Sequence, residues 1–169
     1  MQRRAFLASL LLVAAPLPLG RFAEPPVTVF VVRHAEKGPE PDDPGLTEKG
    51  RRRAAELARV LGDARPTALF VTEFKRTQET LAPVAALLGI EPVKLGAGDM
   101  DGLIARLQAL PAGSRAVVAS HSNLVHLIVA RLAGVEVPPL TDADYDRLFV
   151  VTRTGTGTGS VLTLRYGER

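Results

Sequence analysis

Short runs of hydrophobic residues recur along this chain, and polar segments separate them. Residues 27–32, VTVFVV, are continuous, short and mostly β-branched, which is typical of a strand buried on both faces. Three comparable runs follow, and glycine, proline or polar residues bound each of them. The pattern predicts strands at 27–32, 67–72, 91–95 and 115–120.

Longer segments with apolar residues at helical spacing lie between and after these strands. In the first of them, Thr47 is placed to cap a helix that buries Leu57 and Leu61 and ends at Gly62. Pro83 is expected to bend or divide the second helix, because proline interrupts the helical hydrogen-bond pattern. The helices are predicted at 47–61, 75–89, 101–110 and 123–134.

The pattern changes near the C-terminus. Residues 147–152 and 161–167 flank the segment RTGTGTGS, which predicts an antiparallel pair of strands with a flexible connection. Because strands and helices alternate before this pair, we expect an α/β fold. The expected architecture is a three-layer sandwich, with helices on both faces of a mainly parallel sheet and an antiparallel C-terminal edge. Residues 24–169 are expected to form a single domain.

The first 23 residues have the composition of an export signal. Arg3 and Arg4 precede an apolar stretch over residues 5–15, and prolines then interrupt it. That stretch is too short to span a bilayer, which needs about 20 apolar residues. The segment RRAFL also resembles a twin-arginine signal. We therefore expect residues 1–23 to direct export to the periplasm or the cell exterior, with cleavage after Gly20 or Ala23 and no stable membrane insertion afterwards. An uncleaved membrane anchor is the alternative.

The charge of the chain argues against nucleic acid as a partner. The formal net charge of +3 equals the three arginines of residues 1–23, so the remaining residues carry equal numbers of basic and acidic side chains. A neutral domain lacks the basic surface that binds the phosphate backbone. The chain has no tryptophan, and only 5% of its residues are aromatic, so a base-stacking platform is not expected either.

Three of the predicted strands end next to basic or imidazole side chains. Arg33 and His34 follow the first strand; Thr72 ends the second, with Arg76 at the start of the next helix; and His121 follows the fourth. The carboxyl ends of parallel strands meet at one edge of a sheet, which is where ligands bind in such folds. We therefore expect these five side chains to share one small pocket.

Such a pocket suits a phosphoryl group. Arginine matches phosphate oxygens in a bidentate manner and stays charged at any working pH. A neutral imidazole is a competent nucleophile toward phosphorus. The second imidazole can donate a hydrogen bond to an equatorial oxygen as charge develops.

Each residue taken alone also has an ordinary structural explanation. An arginine at a strand end often forms a surface ion pair, and a single histidine is often structural, as we expect for His126 in the apolar fourth helix. A zinc site made of His34, Glu36 and His121 has suitable ligand types, but the adjacent arginines would repel the ion. We therefore expect no metal and no other cofactor.

Four segments resemble the successive signatures of the histidine phosphatase superfamily, which includes the phosphoglycerate mutases. They are VVRHAEK, LTEKGRRRAAELA, VTEFKRTQET and VVASHSN, and together they cover about residues 28–132 in the expected order. The segment DYDRLFVVT is similar to one common in small bacterial members. The resemblance implies that His34 becomes phosphorylated, that Arg33 and Arg76 hold the phosphate, and that His121 is the second histidine of the site.

The first of two departures from the family pattern is Ala35, which replaces the more usual glycine after His34. In the second, Thr72 and Glu73 stand where many members have Ser-Pro; Thr72 keeps the hydroxyl, so we retain it as a substrate-binding residue. The identity of the residue that protonates the leaving oxygen is left open by the sequence. Glu36, Asp99 and Asp101 are candidates, although either aspartate could instead cap the following helix.

The sequence therefore predicts a phosphatase domain that hydrolyses a small phosphorylated substrate without a metal, through a phosphohistidine at His34. One alternative is phosphotransfer of the phosphoglycerate mutase type, but the resembling mutases need insertions that enclose their substrate, and this domain is short. The other is a binding module that holds a phosphorylated ligand without turnover. Sugar phosphates, lipopolysaccharide and nucleotides all remain candidate substrates, and the sequence predicts no oligomeric state.

Overall fold

The computed structural model describes residues 24–155 and 158–168, so the predicted export signal at 1–23 lies outside the described residues. Helices and strands alternate as expected, and no helix within the described ranges is long and apolar enough to cross a membrane. The elements are β1 Val27–Arg33, α1 Glu48–Gly62, β2 Ala68–Thr72, α2 Lys75–Leu88, β3 Val93–Leu95, α3 Met100–Gln108, β4 Arg115–Ser120, α4 Ser122–Ala133, β5 Arg147–Arg153 and β6 Ser160–Arg165.

The six strands form one sheet in the order β3-β2-β4-β1-β5-β6. Strands β1 to β4 pair in parallel, whereas β5 runs antiparallel to β1, and β6 runs antiparallel to β5. In the middle of the sheet, Val31 lies opposite Val118 on one side and Phe149 on the other. The predicted fold class, a mainly parallel sheet with an antiparallel C-terminal edge, is confirmed.

Helices cover both faces of the sheet, which explains why β1 is apolar at successive positions. Val29 and Val31 are fully buried in the core that contains α3 and α4. Val32 is fully buried in the opposite core, which α1 and α2 complete. Buried strands in an α/β sheet need apolar residues on both sides, so no alternation with polar residues is present.

Local rules predict the start of α1 but not the continuity of α2. The Thr47 hydroxyl accepts a hydrogen bond of 3.1 Å from the Gly50 N–H and so caps α1, as predicted. Pro83, in contrast, does not divide α2, which is continuous from Lys75 to Leu88. The neighbouring Leu81 and Val84 are fully buried against the sheet, and this packing holds the helix together on both sides of the proline.

Candidate active site

The ends of β1, β2 and β4 lie side by side, and they bring the predicted site residues together. Arg33, the last residue of β1, lies opposite Ser120, the last residue of β4. The His34 N–H continues the pairing by donating a hydrogen bond of 2.8 Å to the Ser120 carbonyl. His121 follows Ser120 directly, and its ring centroid lies 5.5 Å from that of His34. The two imidazoles therefore share one pocket at this edge of the sheet.

His34 is neutral and has a defined tautomer. Its Nδ1 lies 2.8 Å from the Ala35 carbonyl, and a carbonyl can only accept, so Nδ1 carries the proton and Nε2 keeps its lone pair. Burial lowers the pKa of His34 to about 4, and the charges of Arg33 and Arg76 also act in that direction. At neutral pH the side chain therefore offers an unprotonated Nε2.

His121 is held in the opposite tautomer. Its Nδ1 lies 3.5 Å from Nη2 of Arg76, which can only donate, and its Nε2 lies 3.1 Å from the Thr72 hydroxyl. The proton is therefore on Nε2. Burial lowers the pKa of His121 to about 4, and the positive charge of Arg76 is the next cause. This second imidazole is also neutral at pH 7.

Arg33 is buried and is contacted by a loop from the C-terminal half of the chain. Its Nη1 donates to the carbonyls of Thr141 and Asp142 at 3.0 and 3.1 Å. Its Nη2 donates to the Tyr145 hydroxyl at 3.2 Å, and its Cζ lies 3.9 Å from the centre of the Tyr145 ring. The Nε N–H has no partner within the described part of the chain. This donor could serve an anion in the pocket.

Arg76 lies on the other side of the pocket. Its Cζ is 4.2 Å from the centre of the Phe74 ring, and its Nη1 is 3.9 Å from the Asp43 carboxylate. Phe74 also makes an edge contact with His121, at 5.3 Å between ring centroids. Like that of Arg33, the buried Nε of Arg76 has no partner among the described residues. Two guanidinium groups, each resting on an aromatic ring, therefore flank the two imidazoles.

The hydroxyl of Thr72, a residue predicted to bind substrate, contacts His121. The Thr72 hydroxyl is buried, 3.1 Å from His121 Nε2 and 2.9 Å from the Thr77 hydroxyl. Thr77 in turn donates to the Phe74 carbonyl at 2.9 Å. Because Thr77 uses its proton there, it accepts from Thr72, and Thr72 accepts from His121. This chain of hydroxyls orients the second imidazole.

The three carboxylates considered as proton donors all have structural partners. Glu36 accepts hydrogen bonds of 2.8 to 3.1 Å from Arg53 and lies 3.6 Å from Lys49. Burial raises the pKa of Glu36, but the hydrogen bonds and charge of Arg53, with a backbone hydrogen bond and the charge of Lys49, together lower that pKa overall. Asp99 caps α3 through the Gly102 N–H at 3.0 Å. Asp101 forms an exposed ion pair with Arg131 at 2.7 Å.

Within residues 24–155 and 158–168, no group of three or more histidine, cysteine or acidic side chains could hold a metal ion. The zinc ligand set considered from the sequence fails because the Glu36 carboxylate is turned toward Arg53. His126 is half-buried in α4 and takes no part in the pocket contacts described above.

Sequence reasoning missed two aromatic residues of the site, Phe74 and Tyr145. Phe74 lies in the VTEFKRTQET segment, two positions from each of the predicted site residues Thr72 and Arg76. Tyr145 lies in the DYDRLFVVT segment and is one of only two tyrosines in the chain. The resemblance of that segment to one in small bacterial family members was the only signal for Tyr145. Its position in the sequence gave no reason to expect a contact with Arg33.

The chain is similar to known proteins in sequence and in fold. The family model described as histidine phosphatase superfamily (branch 1) matches residues 29–97. The structure of the protein histidine phosphatase SixA complexed with tungstate is 25% identical, with a TM-score of 0.68; the match covers 82% of this chain and 96% of SixA. Comparison with curated protein sequences finds no significant relative.

Two mycobacterial structures share the fold at lower identity. A glucosyl-3-phosphoglycerate phosphatase is 13% identical, with a TM-score of 0.62 over 82% of this chain and 97% of its own. A protein described as mycobacterial hydrolase 1 is 15% identical, with a TM-score of 0.66 over 84% of this chain and 99% of its own. The family match over residues 29–97 and the likeness to SixA show that this chain is similar to members of the histidine phosphatase superfamily.

Proposed function

We propose that this protein hydrolyses phosphomonoesters through a phosphohistidine formed on His34, without a metal ion. One observation carries the proposal: two neutral imidazoles lie 5.5 Å apart between two arginines whose buried Nε donors have no partner in the described chain. A tetrahedral oxyanion would satisfy both donors and would place its phosphorus near the lone pair of His34 Nε2.

The reaction has two displacements. In the first, His34 Nε2 forms a bond to phosphorus as the bond to the ester oxygen breaks, and the leaving oxygen takes up a proton. In the second, water attacks the phosphohistidine, the nitrogen–phosphorus bond breaks, and inorganic phosphate leaves. Arg33 and Arg76 balance the charge of the transferred group. An anion between the rings also favours the protonated form of His121, which can then donate to an equatorial oxygen.

Steady-state hydrolysis in EDTA tests this function against the non-catalytic alternative. Purified protein is assayed with p-nitrophenyl phosphate, and binding of inorganic phosphate is measured separately. His34→Ala should abolish turnover while phosphate affinity stays within about tenfold, because the arginines remain. Phosphate binding without any turnover in the wild type would favour the binding module. Activity that EDTA removes would contradict metal independence.

A phosphohistidine side chain on another protein is a second candidate substrate. The observation in its favour is that Glu36, Asp99 and Asp101 are all engaged elsewhere, so the pocket has no carboxylic acid free among these candidates. An imidazole leaving group needs less help from an acid than an alkoxide does. The similarity to SixA, described as a protein histidine phosphatase, points the same way. Comparing rates on a phosphohistidine peptide and on an alkyl phosphate separates the two classes.

We also propose that residues 1–23 direct export, which rests on the sequence of that segment alone. Cell fractionation of a full-length tagged protein tests this proposal. The tagged protein should be found in the periplasmic or extracellular fraction, shortened by about 20 residues if the signal is cleaved. A full-length soluble protein in the cytoplasm would contradict export, and a full-length protein in the membrane fraction would indicate an uncleaved anchor.

A further inference from the structure

We propose that Tyr145 is a positioning residue, which fixes the orientation of Arg33 and keeps its charge available for the phosphoryl group. The inference rests on the proposed function, because it concerns how that function binds its anion. Tyr145 is half-buried, just before β5, and its ring centroid is 6.1 Å from that of His34. It therefore contacts the arginine and borders the nucleophile.

The contact between Tyr145 and Arg33 has two parts. The guanidinium Cζ lies 3.9 Å from the centre of the tyrosine ring, within the range of a cation–π interaction. Nη2 also donates to the hydroxyl at 3.2 Å, and Nη1 donates to two carbonyls of the same loop. One face and several donors of the guanidinium are thus engaged, so the side chain has little freedom to rotate.

The loop that carries Tyr145 is itself held in place. Asp144 accepts hydrogen bonds from the Thr141 N–H at 2.9 Å and the Thr141 hydroxyl at 2.6 Å. On the other side of Tyr145, the buried Asp146 accepts two bonds from Arg165 of β6, at 2.8 and 2.6 Å. The tyrosine is therefore presented from a segment fixed at both ends, as a positioning role requires.

The contacts of Arg33 restrain it without cancelling its charge. The acidic group nearest to it among the described ion pairs is Asp142, 4.0 Å away with its side chain fully exposed, so water screens it strongly. An aromatic face and carbonyl dipoles stabilise the cation, but neither supplies a negative charge that would compete with a substrate. A buried arginine held in this way keeps a full positive charge directed toward an oxyanion.

The alternative is that Tyr145 only fills space beside the sheet. The two explanations differ in what they predict for binding. A space-filling residue changes stability and leaves the affinity for an oxyanion unchanged in the fraction that remains folded. A positioning residue changes the dissociation constant for the oxyanion and the KM for an ester much more than it changes kcat.

Calorimetric titration with tungstate, an oxyanion that mimics phosphate, tests the inference on the purified full-length protein. Tyr145→Leu removes both ring and hydroxyl, and we expect the tungstate dissociation constant and the KM for p-nitrophenyl phosphate to rise about tenfold, with kcat within about threefold. Tyr145→Phe keeps the ring and should stay within about threefold of wild type. Tyr166→Phe, the same change at the other tyrosine, is the matched control and should have no effect.

The outcomes separate the two proposals. A wild-type dissociation constant in Tyr145→Leu would overturn the positioning role alone, since the wild type would still bind tungstate and hydrolyse ester. A wild-type protein that binds neither tungstate nor phosphate would overturn the proposed function and this inference with it. If Tyr145→Leu fails to fold, Tyr145→Gln, which keeps a polar side chain of similar length without the ring, is measured in the same way and must show the same loss.

Discussion

The two halves of the site have the same parts in different surroundings. On one side, His34 is paired with Arg33, which rests on Tyr145; on the other, His121 is paired with Arg76, which rests on Phe74. In each half a buried neutral imidazole lies beside a guanidinium stacked on an aromatic ring. The two halves differ in the contacts that hold the arginine.

The two arginines differ in the origin of the groups that contact them. Arg33 is bound by a loop more than 100 residues further along the chain. Arg76 and the residues that orient His121 lie mostly between Thr72 and Thr77, and Arg76 also faces the carboxylate of Asp43 at 3.9 Å. The carboxylate facing Arg33, that of Asp142, is fully exposed and strongly screened by water, whereas the half-buried Asp43 balances more of the charge of Arg76. We expect the first half to tolerate substitution less well.

Removing the nucleophile should have the largest effect. We expect His34→Ala to lower kcat by 10⁴-fold or more, on the order of the loss that follows removal of other enzymatic nucleophiles. His126→Ala is the matched control, since this half-buried histidine lies outside the pocket, and it should stay near wild-type activity. Comparable losses in the two variants would mean that folding, rather than chemistry, explains the result.

Replacing each arginine by lysine tests the contrast between the halves directly. Lysine keeps the charge and loses the planar guanidinium, so Arg33→Lys should lower kcat/KM by about 100-fold. Arg76→Lys should cost about tenfold, because Asp43 already balances part of its charge. Steady-state kinetics on one ester measures both. Equal losses, or a larger loss for Arg76→Lys, would contradict the difference between the halves.

Glu36 lies two residues after His34 and forms an ion pair with the buried Arg53. Glu36→Gln leaves the buried Arg53 guanidinium without its charge partner, so we expect a loss of about 3 kcal/mol in the free energy of unfolding. Asp101→Asn makes the same chemical change at an exposed ion pair and should cost less than about 0.5 kcal/mol. Urea denaturation of both variants decides the point. A Glu36→Gln variant that is as stable as the wild type but inactive would contradict this structural role and would indicate that Glu36 is the proton donor.

The last effect that we predict is a loss of stability in acid, shared between the two site histidines. Both site histidines have a pKa of about 4 in the folded protein, below the ordinary value of 6.5. The unfolded chain therefore binds more protons between these values, so the stabilisation is complete above pH 6.5 and is lost as the pH falls toward 4. Each histidine should contribute on the order of 1 kcal/mol per pH unit in that window. Denaturation midpoints are measured at several pH values. In a variant with both histidines replaced by asparagine, the midpoint should depend less on pH between 4 and 6.5.

The parts of the molecule that could be predicted are those that depend on local sequence. The continuous apolar run at 27–32 required a buried strand, and the cap at Thr47 fixed the start of α1. Once the strands were known to be parallel, the shared edge followed, and with it the meeting of Arg33, His34 and His121. None of these steps needed a contact between distant side chains.

The rest depends on pairings between residues far apart in sequence. The stacking of Tyr145 on Arg33 and the pairing of Glu36 with Arg53 bring together residues 112 and 17 positions apart. No periodicity encodes such pairs. The contact between the Thr72 hydroxyl and His121 was not predicted for the same reason, because it joins residues 49 positions apart. Local rules predicted that Pro83 would bend or divide α2. The helix is continuous because its neighbours pack on the sheet.

Single-turnover trapping tests the central claim most directly. Purified protein is mixed with a ³²P-labelled activated phosphate ester in EDTA, quenched in alkali, and the label that stays on the protein is counted. The account predicts an alkali-stable, acid-labile label on the wild type that is absent from His34→Ala and present on His126→Ala. Hydrolysis without any trapped label, or an equal label on His34→Ala, would contradict a phosphohistidine at His34.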